Sequence, residues 1–339
     1  MSSAVEVLMT LPVPDKLLAQ LEEISPRLRI TVMPARKADD IPNDIWNRTE
    51  VLYTVRVLPA PELVPNLRWI QFHFAGIDFA AQSPLLNQPE LQFTTLSGAA
   101  TSQMSEYAVM MMLALGHRVP DLMTSQIKSD WPRERWERFS PLELRGSTVG
   151  IVGYGSIGRQ IARLLQPFGV TILAAKRDAM HPEDTGYTPE NLGDPDGTLF
   201  RRLYPTQALR PMLKECDFIV ITAPLTPETQ HLIGQEELEV CKPTAFLIDI
   251  SRGGIVDQQA LIETLQNHKL GGAAMDVFPE EPLPSSSPLW KIPNVIITPH
   301  IAGNSPRYTE RAMSLFAENL NRYLVGLGLY NRFDSQRGY

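Results

Sequence analysis

The stretch Thr-Val-Gly-Ile-Val-Gly-Tyr-Gly-Ser-Ile-Gly at residues 148–158 decides the fold of this chain. Its first half is an apolar run that predicts a buried strand, and its second half places Gly153, Gly155 and Gly158 in G-x-G-x-x-G spacing. In such a turn the first glycine allows the tight bend, and the second lets the backbone approach a pyrophosphate. The third lets the following helix pack closely on the strand, with its free N–H groups directed at the phosphates.

The residues that follow separate a dinucleotide site from an ordinary glycine turn, which the spacing alone would also fit. Four apolar side chains recur at the spacing of one helix face, namely Ile161, Leu164, Leu165 and Phe168. Gly169 stands where a helix C-cap is expected, and residues 170–175 predict a second strand. Because a strand, a glycine turn, an amphipathic helix and another strand make a βαβ unit, we interpret this region as dinucleotide-binding.

Length, charge and cysteine content narrow the class of protein. A chain of 339 residues suggests about two domains, and a net charge of −7 argues against a nucleic-acid surface. Cys216 and Cys241 give neither a disulfide framework nor a metal-ligand spacing, so no metal is expected and a reducing, cytoplasmic setting fits. We expect no membrane partner, because the longest apolar run, residues 107–115, is far shorter than the ~20 residues that a span requires. The N-terminus shows no pattern of a signal peptide.

Two sets of predicted strands alternate with helices along the chain, which favours an α/β fold with parallel sheets. The first set has no glycine motif and comprises residues 4–10, 28–33, 51–54, 67–72 and 91–96. The second set has six strands, at residues 149–152, 170–175, 218–222, 246–250, 273–277 and 295–298. Residues 178–210 are interpreted as a polar surface excursion without an assigned function. A helix at 102–117, apolar nearly all round, is predicted to be buried within the chain or between subunits.

Polar residues follow the predicted strands of the second set, at the sheet edge where doubly wound proteins bind ligands. These segments are residues 222–224, 251–254, 276–282 and 299–303. They bring together an arginine, which can hold a carboxylate through two hydrogen bonds, and a histidine, which can move a proton near neutral pH. A carboxylate behind the histidine would fix the ring and favour its charged form.

The chain resembles the D-isomer specific 2-hydroxyacid dehydrogenase family, of the glyoxylate/hydroxypyruvate reductase-like or phosphoglycerate dehydrogenase-like type. The resemblance spans nearly the whole chain and rests on several motifs in order. These are residues 144–146, the three glycines, residues 223–229, residues 250–257, residues 276–282 and Pro299-His300.

The resemblance implies a role for each matching residue. Arg252 would hold the substrate carboxylate, Glu281 would pair with the catalytic His300, and Asp276 would contact the nicotinamide carboxamide. Substrate would be bound by Ala75, Gly76, Arg252 and His300. The predicted cofactor-binding residues are Gly153, Gly155, Ser156, Ile157, Gly158, Lys176, Arg177, Ala223, Pro224, Thr229, Ile250, Ser251, Arg252, Asp276, His300 and Gly303.

The resemblance also implies a domain order. A Rossmann cofactor domain at residues 117–303 would be inserted into a flavodoxin-like substrate domain made of residues 1–116 and 304–339. Both domains would be doubly wound parallel sheets. A homodimer through helix 102–117 is expected.

Several residues keep a structural interpretation beside the functional one. For Arg252 the alternative to substrate binding is a surface ion-pair residue. For His73 a structural role is favoured over that of a substrate ligand. Glu280 competes with Glu281 for the histidine, although the family register favours Glu281. The two cysteines are expected to be buried fillers.

The implied reaction is hydride transfer between a nicotinamide and C2 of a small 2-oxo or D-2-hydroxy acid. Lys176 occupies the position of the usual acidic residue at the end of the second strand, so Lys176 and Arg177 predict NADP(H) rather than NAD(H). Asp178 is the counter-argument, since a shifted turn would bring it to the ribose. Glutamate at 281 disfavours the formate dehydrogenase branch, where glutamine replaces it. The alternative function is that of a non-enzymatic, dinucleotide-sensing binding protein, similar to co-repressors of the same fold.

Overall fold

The computed structural model describes residues 4–80 and 83–334, and its strands within those ranges are all parallel. The first five strands are β1 (Val5–Met9), β2 (Leu28–Val32), β3 (Val51–Thr54), β4 (Trp69–Phe72) and β5 (Gln92–Thr94). The next seven are β6 (Thr148–Val152), β7 (Thr171–Lys176), β8 (Arg202–Pro205), β9 (Phe218–Ile221), β10 (Phe246–Asp249), β11 (Gly272–Met275) and β12 (Val295–Ile297).

The α-helices alternate with these strands, as parallel crossovers require. They are α1 (Asp15–Glu22), α2 (Asn43–Arg48), α3 (Thr101–Gly116), α4 (Val119–Ile127), α5 (Arg135–Arg138), α6 (Ser156–Leu165), α7 (Leu209–Leu213), α8 (Gln235–Glu239), α9 (Gln258–Gln266) and α10 (Tyr308–Leu324). Short 3₁₀ turns complete the crossovers, and one of them ends at Gly169 in the left-handed conformation that its predicted capping role requires.

The first compact unit joins the chain up to Ala100 with the chain from Ser305 onward. Its sheet has the order β2-β1-β3-β4-β5, which is the flavodoxin-like order. Helix α10 brings Phe316 against the rings of Tyr53 and Trp69, with centroids 4.6 and 5.5 Å away. The C-terminal helix thereby packs on a sheet built from the first residues of the chain.

The second compact unit, Thr101–Asn304, has the sheet order β12-β11-β10-β9-β6-β7-β8. The chain starts at β6, winds outward through β7 and β8, and then returns to the other side of β6 with β9. This reversal is the topological switch point where doubly wound sheets bind dinucleotides. The predicted fold class, two doubly wound parallel sheets, is therefore confirmed.

The prediction of six strands in the second sheet is wrong, because β8 extends the sheet beyond β7. It lies inside the stretch that was interpreted as a polar excursion, and it pairs with β7 from Leu173 to Lys176. Its four residues begin with an arginine and end with a proline, and only Tyr204 is buried. An edge strand this short and polar has no apolar run from which a sequence pattern could identify it.

Helix α3 groups with the second unit, whereas residues 101–116 were expected to belong to the first. Ala108, Met112 and Leu115 are buried in one apolar cluster with α6 and with β6, β9 and β10. The helix is not covered all round, since Met110 is 50% exposed. It also begins at Thr101, one residue before its expected start.

Candidate active site

The glycine turn has the geometry that a pyrophosphate needs. Gly153 has φ +104°, and a Cβ there would lie 2.5 Å from the amide nitrogen of Ala223. A Cβ on Gly158 would lie 2.5 Å from the carbonyl oxygen of Gly153. In contrast, a Cβ on Gly155 would meet no heavy atom within 4 Å. The first and third glycines are thus required by packing, and the second borders open space into which a phosphate fits.

Helix α6 begins directly after this turn with its amide groups available. The amide of Arg159 makes the first turn of the helix by donating to the carbonyl of Gly155 at 2.9 Å. The amides of Ser156, Ile157 and Gly158 therefore precede the internal hydrogen bonds of the helix. These three residues, predicted to bind the cofactor, form a helix N-terminus that favours a phosphate.

Lys176 ends β7, and its ammonium binds the loop that follows. Nζ donates to the carbonyl oxygens of His181 at 2.6 Å and Glu183 at 3.2 Å. Desolvation by burial lowers the pKa of this lysine. Arg177 is more exposed, and its guanidinium lies 4.0 Å from a carboxylate oxygen of Glu228. The two cations predicted to meet a 2′-phosphate thus lie in different local environments.

Asp178, the residue that would favour NAD(H), is bound within its own loop. Its carboxylate accepts from the Met180 amide at 3.1 Å and pairs with Nδ1 of His181 at 2.7 Å. The hydrogen bond with His181 lowers the pKa of the aspartate and raises that of the histidine. The carboxylate is therefore held by the loop itself.

The residues after β9 form a turn that closes on the glycine loop. The hydroxyl of Thr222 donates to the carbonyl of Gly153 at 2.6 Å. Further along, the hydroxyl of Thr229 donates to the carbonyl of Pro224 at 2.6 Å. Ala223, Pro224 and Thr229, all predicted to contact cofactor, thus lie on one ordered turn beside the phosphate-binding glycines.

Arg252 follows β10 in a turn that is packed against the next loop. Its Nη1 donates to the carbonyl of Ser251 at 2.7 Å. A Cβ on Gly253 would lie 2.0 Å from the carbonyl oxygen of Phe278, so only glycine fits this approach. The turn therefore lies against the loop that carries Glu281, while Ile250 and Ser251 are buried beneath it.

His300 and Glu281 form a hydrogen-bonded pair after β12. Nδ1 of His300 lies 2.8 Å from Oε2 of Glu281, and the other carboxylate oxygen accepts from the Phe278 amide at 3.0 Å. The histidine side chain is 46% exposed, so the ring is open to a ligand at its other nitrogen. The pairing is with Glu281, as the family register favoured over Glu280.

Asp276 holds the backbone around His300. Its carboxylate accepts from the hydroxyl of Thr298 at 2.7 Å, the amide of Ile301 at 2.9 Å and the amide of Ala302 at 2.8 Å. Tyr107 of α3 in turn bonds the hydroxyl of Thr298. Sequence reasoning missed Thr298 and Tyr107, because only the folded chain brings α3 to the end of β12.

The remaining candidates of the second unit have simple surroundings. The carbonyl of Gly303 accepts from the side chain of Gln103 at 3.0 Å. Cys216 and Cys241 are buried free thiols, and burial raises the pKa of Cys241 to about 12. Among the described residues, no three His, Cys, Asp or Glu side chains group as a metal site would require. No helix in those same ranges is long and apolar enough to cross a bilayer.

In the first unit, Ala75 and Gly76 follow β4 and are accessible to solvent. His73 is buried, its Nδ1 lies 2.6 Å from the hydroxyl of Tyr53, and burial lowers its pKa to about 4. A neutral, buried histidine with a tyrosine partner fits the structural interpretation of this residue.

Comparison with known proteins places the chain in a family. Residues 109–302 match the family model of the D-isomer specific 2-hydroxyacid dehydrogenase, NAD binding domain. The chain is 34% identical over 267 residues to a glyoxylate reductase of Thermofilum pendens, covering 78% of this chain and 74% of that protein. It is 32% identical over 228 residues to a D-3-phosphoglycerate dehydrogenase of Methanocaldococcus jannaschii, covering 67% of this chain but 40% of the relative.

Comparison of the fold leads to the same family. A D-isomer specific 2-hydroxyacid dehydrogenase from Xanthobacter autotrophicus Py2, solved in complex with NADPH and MES, superimposes with a TM-score of 0.80 at 25% identity over the full length of both chains. The chain therefore belongs to the D-isomer specific 2-hydroxyacid dehydrogenases, the nicotinamide-dependent oxidoreductases that transfer a hydride to or from C2 of a small 2-hydroxy or 2-oxo acid.

Proposed function

We propose that the protein is a 2-oxo acid reductase of the glyoxylate/hydroxypyruvate type, with Arg252, Glu281 and His300 as its catalytic residues. The observation that carries the proposal is the 2.8 Å contact between Nδ1 of His300 and Glu281, beside the open second nitrogen of the ring. The glyoxylate reductase relatives support the substrate class.

His300 acts as the proton donor. Reduction of a ketone leaves an alkoxide at C2, so a proton has to reach that oxygen as the hydride arrives. The carboxylate of Glu281 fixes the ring through Nδ1, which leaves Nε2 to deliver the proton. Positioned proton transfer of this kind contributes roughly 10²–10⁴ in rate.

Arg252 binds the substrate carboxylate through its planar guanidinium, which matches two carboxylate oxygens. This contact neutralises the acid and orients C2. The bound nicotinamide supplies the hydride chemistry. The backbone of Ala75 and Gly76 remains our predicted further contact for the substrate.

NADP(H) is the proposed cofactor. Two consecutive cations, Lys176 and Arg177, stand at the end of β7, where an acidic residue would repel a 2′-phosphate. The NADPH complex of the Xanthobacter relative supports this choice. Arg177 is the stronger candidate for the phosphate, because its side chain is the more exposed of the two.

A panel of 2-oxo acids, assayed with NADPH and with NADH, tests the proposal. We expect turnover of glyoxylate or hydroxypyruvate with the higher kcat/KM for NADPH. Absence of turnover across the panel would favour the dinucleotide-sensing alternative, which none of the comparisons supports. A clear preference for NADH would contradict the cofactor assignment alone.

The proposed assembly is a homodimer in a reducing, cytoplasmic setting, with α3 and the segment after it as the contact. Large apolar side chains are exposed along α4 and just beyond it, at Ile127, Trp131 and Trp136. Monomeric proteins seldom expose a patch of this kind, so it favours a second copy.

A further inference from the structure

Strand β10 ends in a buried aspartate whose carboxylate is only half satisfied. Asp249 is 1% exposed, and its Oδ1 accepts from the amide of Ser251 at 3.0 Å and from the hydroxyl of the same residue. Its Oδ2 is buried without a hydrogen-bond partner among the described residues. A buried, ionised oxygen without a donor carries a large desolvation cost, which the neutral acid avoids.

The surroundings of Asp249 disfavour a negative charge. The residues paired with it on β9 and β11 are Ile221 and Met275, and neither carries a charge. Asp276, the residue after β11, donates its amide to the Asp249 carbonyl at 3.0 Å and adds a second carboxylate nearby. Burial, with a further contribution from Asp276, raises the pKa of Asp249 to about 7, although the bonds from Ser251 oppose the rise.

The same carboxyl fixes the turn that carries Arg252. Ser251 is bound twice by Oδ1 of Asp249, and the carbonyl of Ser251 accepts from Nη1 of Arg252 at 2.7 Å. The following residue, Gly253, is pressed against the carbonyl of Phe278. A change at Asp249 therefore reaches the guanidinium through one intervening residue.

We propose that Asp249 is a positioning residue that holds the Arg252 turn, and that it does so as a neutral carboxylic acid whose Oδ1 accepts both bonds from Ser251. The predicted dependence of folding stability on pH depends only on the burial of Asp249. The consequence for substrate binding rests on the proposed function of Arg252.

Thermal unfolding of wild type and Asp249→Asn across pH tests the neutral acid directly. An unfolded aspartate has a pKa of about 3.9, so between about pH 4 and pH 7 the folded protein keeps a proton that the unfolded chain has lost. Rising pH therefore costs the wild type stability in this window, and the loss is complete above it. The amide of asparagine is neutral throughout and does not pay this cost.

We expect the Tm of Asp249→Asn relative to wild type to increase by roughly 3 °C or more between about pH 5 and pH 8. The exposed Asp196→Asn variant, as control, should show no such trend. A pH-independent difference would overturn the proposal, and so would failure of Asp249→Asn to fold while Asp196→Asn folds. Infrared spectroscopy of the wild type adds a check without mutation, since a protonated carboxylic acid should be seen at about pH 5 and be lost at about pH 9.

A kinetic measurement then tests the link to Arg252. Asp249→Leu removes the acceptor of both Ser251 bonds, and we expect it to raise KM for the 2-oxo acid by about tenfold, because the turn that carries Arg252 loses hydrogen bonds. In Asp249→Asn the side-chain oxygen still accepts from Ser251, so KM should stay close to that of wild type. If the Tm trend is found but Asp249→Leu keeps the KM of wild type, the coupling to Arg252 is contradicted. If no 2-oxo acid is turned over, the proposed function fails and the Tm result still stands.

Discussion

At the scale of single residues, the site depends on backbone held in a less common conformation. His300 has φ +53°, a left-handed value that few non-glycine residues adopt. The carboxylate of Asp276 accepts from the two amides that follow His300, those of Ile301 and Ala302, and so holds the turn in place. The matched motif predicted the histidine, but the bonds that orient it join segments 25 residues apart and leave no local pattern.

The cofactor preference is decided by Arg177 in our proposal. Arg177→Ala should lower the ratio of kcat/KM for NADPH to that for NADH by about tenfold or more, because a hydrogen bond to a charged group contributes about 1.5–3 kcal/mol. Lys176→Met, the matched control, should impair both cofactors alike, since Nζ holds the loop at residues 181–183. A larger change of the ratio in the lysine variant would reverse these two roles.

At the scale of elements, the segment between β7 and β8 is anchored by a buried arginine on α6. Arg159 is 1% exposed, and its guanidinium donates to the carbonyls of Asp194 at 2.5 Å and Pro182 at 2.6 Å. The hydroxyl of Tyr154 donates to the Asp194 carboxylate at 2.7 Å. Residues 178–210, whose polarity and prolines predicted a surface excursion, are thus bound to α6 through hydrogen bonds.

Loss of the Arg159 contacts should destabilise the folded protein. Arg159→Met removes the donor to the carbonyls of Asp194 and Pro182 and the ion pair with Asp184 at 3.4 Å, so it should lower the free energy of unfolding by roughly 3–5 kcal/mol. Arg163→Met is the matched control, because Arg163 is exposed and donates to one carbonyl, that of Gly193. Its cost should be about 1 kcal/mol. Chemical denaturation of both variants measures the difference, and equal losses would contradict the anchoring role of Arg159.

The sequence predicts elements well where the pattern is local. The glycine turn, α6 and the left-handed Gly169 after its closing 3₁₀ turn follow from residues close together in the chain, and the structure confirms them. The sequence did not predict β8, because this segment is a strand through its pairing with β7 and not through its own composition. Asp249 was missed for a related reason, since both its burial and its neighbour Asp276 come from the packing of β11 against β10.

At the scale of the whole molecule, the family resemblance predicted two parallel sheets, which the structure confirms. It placed α3 in the first domain, whereas the structure groups this helix with the second compact unit. The exposed side chains beyond α3 now define the predicted dimer contact. Trp131 is 84% exposed and Trp136 is 76% exposed. The paired substitutions Trp131→Ser and Trp136→Ser should therefore convert a dimer to a monomer, because apolar area buried between copies drives association.

Light scattering after size exclusion checks this expectation. Wild type should elute with twice the chain mass and the double variant with the single mass. As a control, Met180→Ser changes an equally exposed apolar residue outside the patch and should leave the mass doubled. A monomeric wild type, or a double variant that stays dimeric, would be incompatible with the proposed contact.

The most direct measurement is the initial rate of NADPH oxidation with glyoxylate for wild type and His300→Asn, since asparagine tolerates the left-handed backbone at this position. Glu280→Gln serves as the control, because Glu281 and not Glu280 contacts the histidine. We expect turnover by wild type and by the control, and a kcat for His300→Asn lower by roughly 10²–10⁴. A His300→Asn variant with the kcat of wild type would show that His300 is not the proton donor.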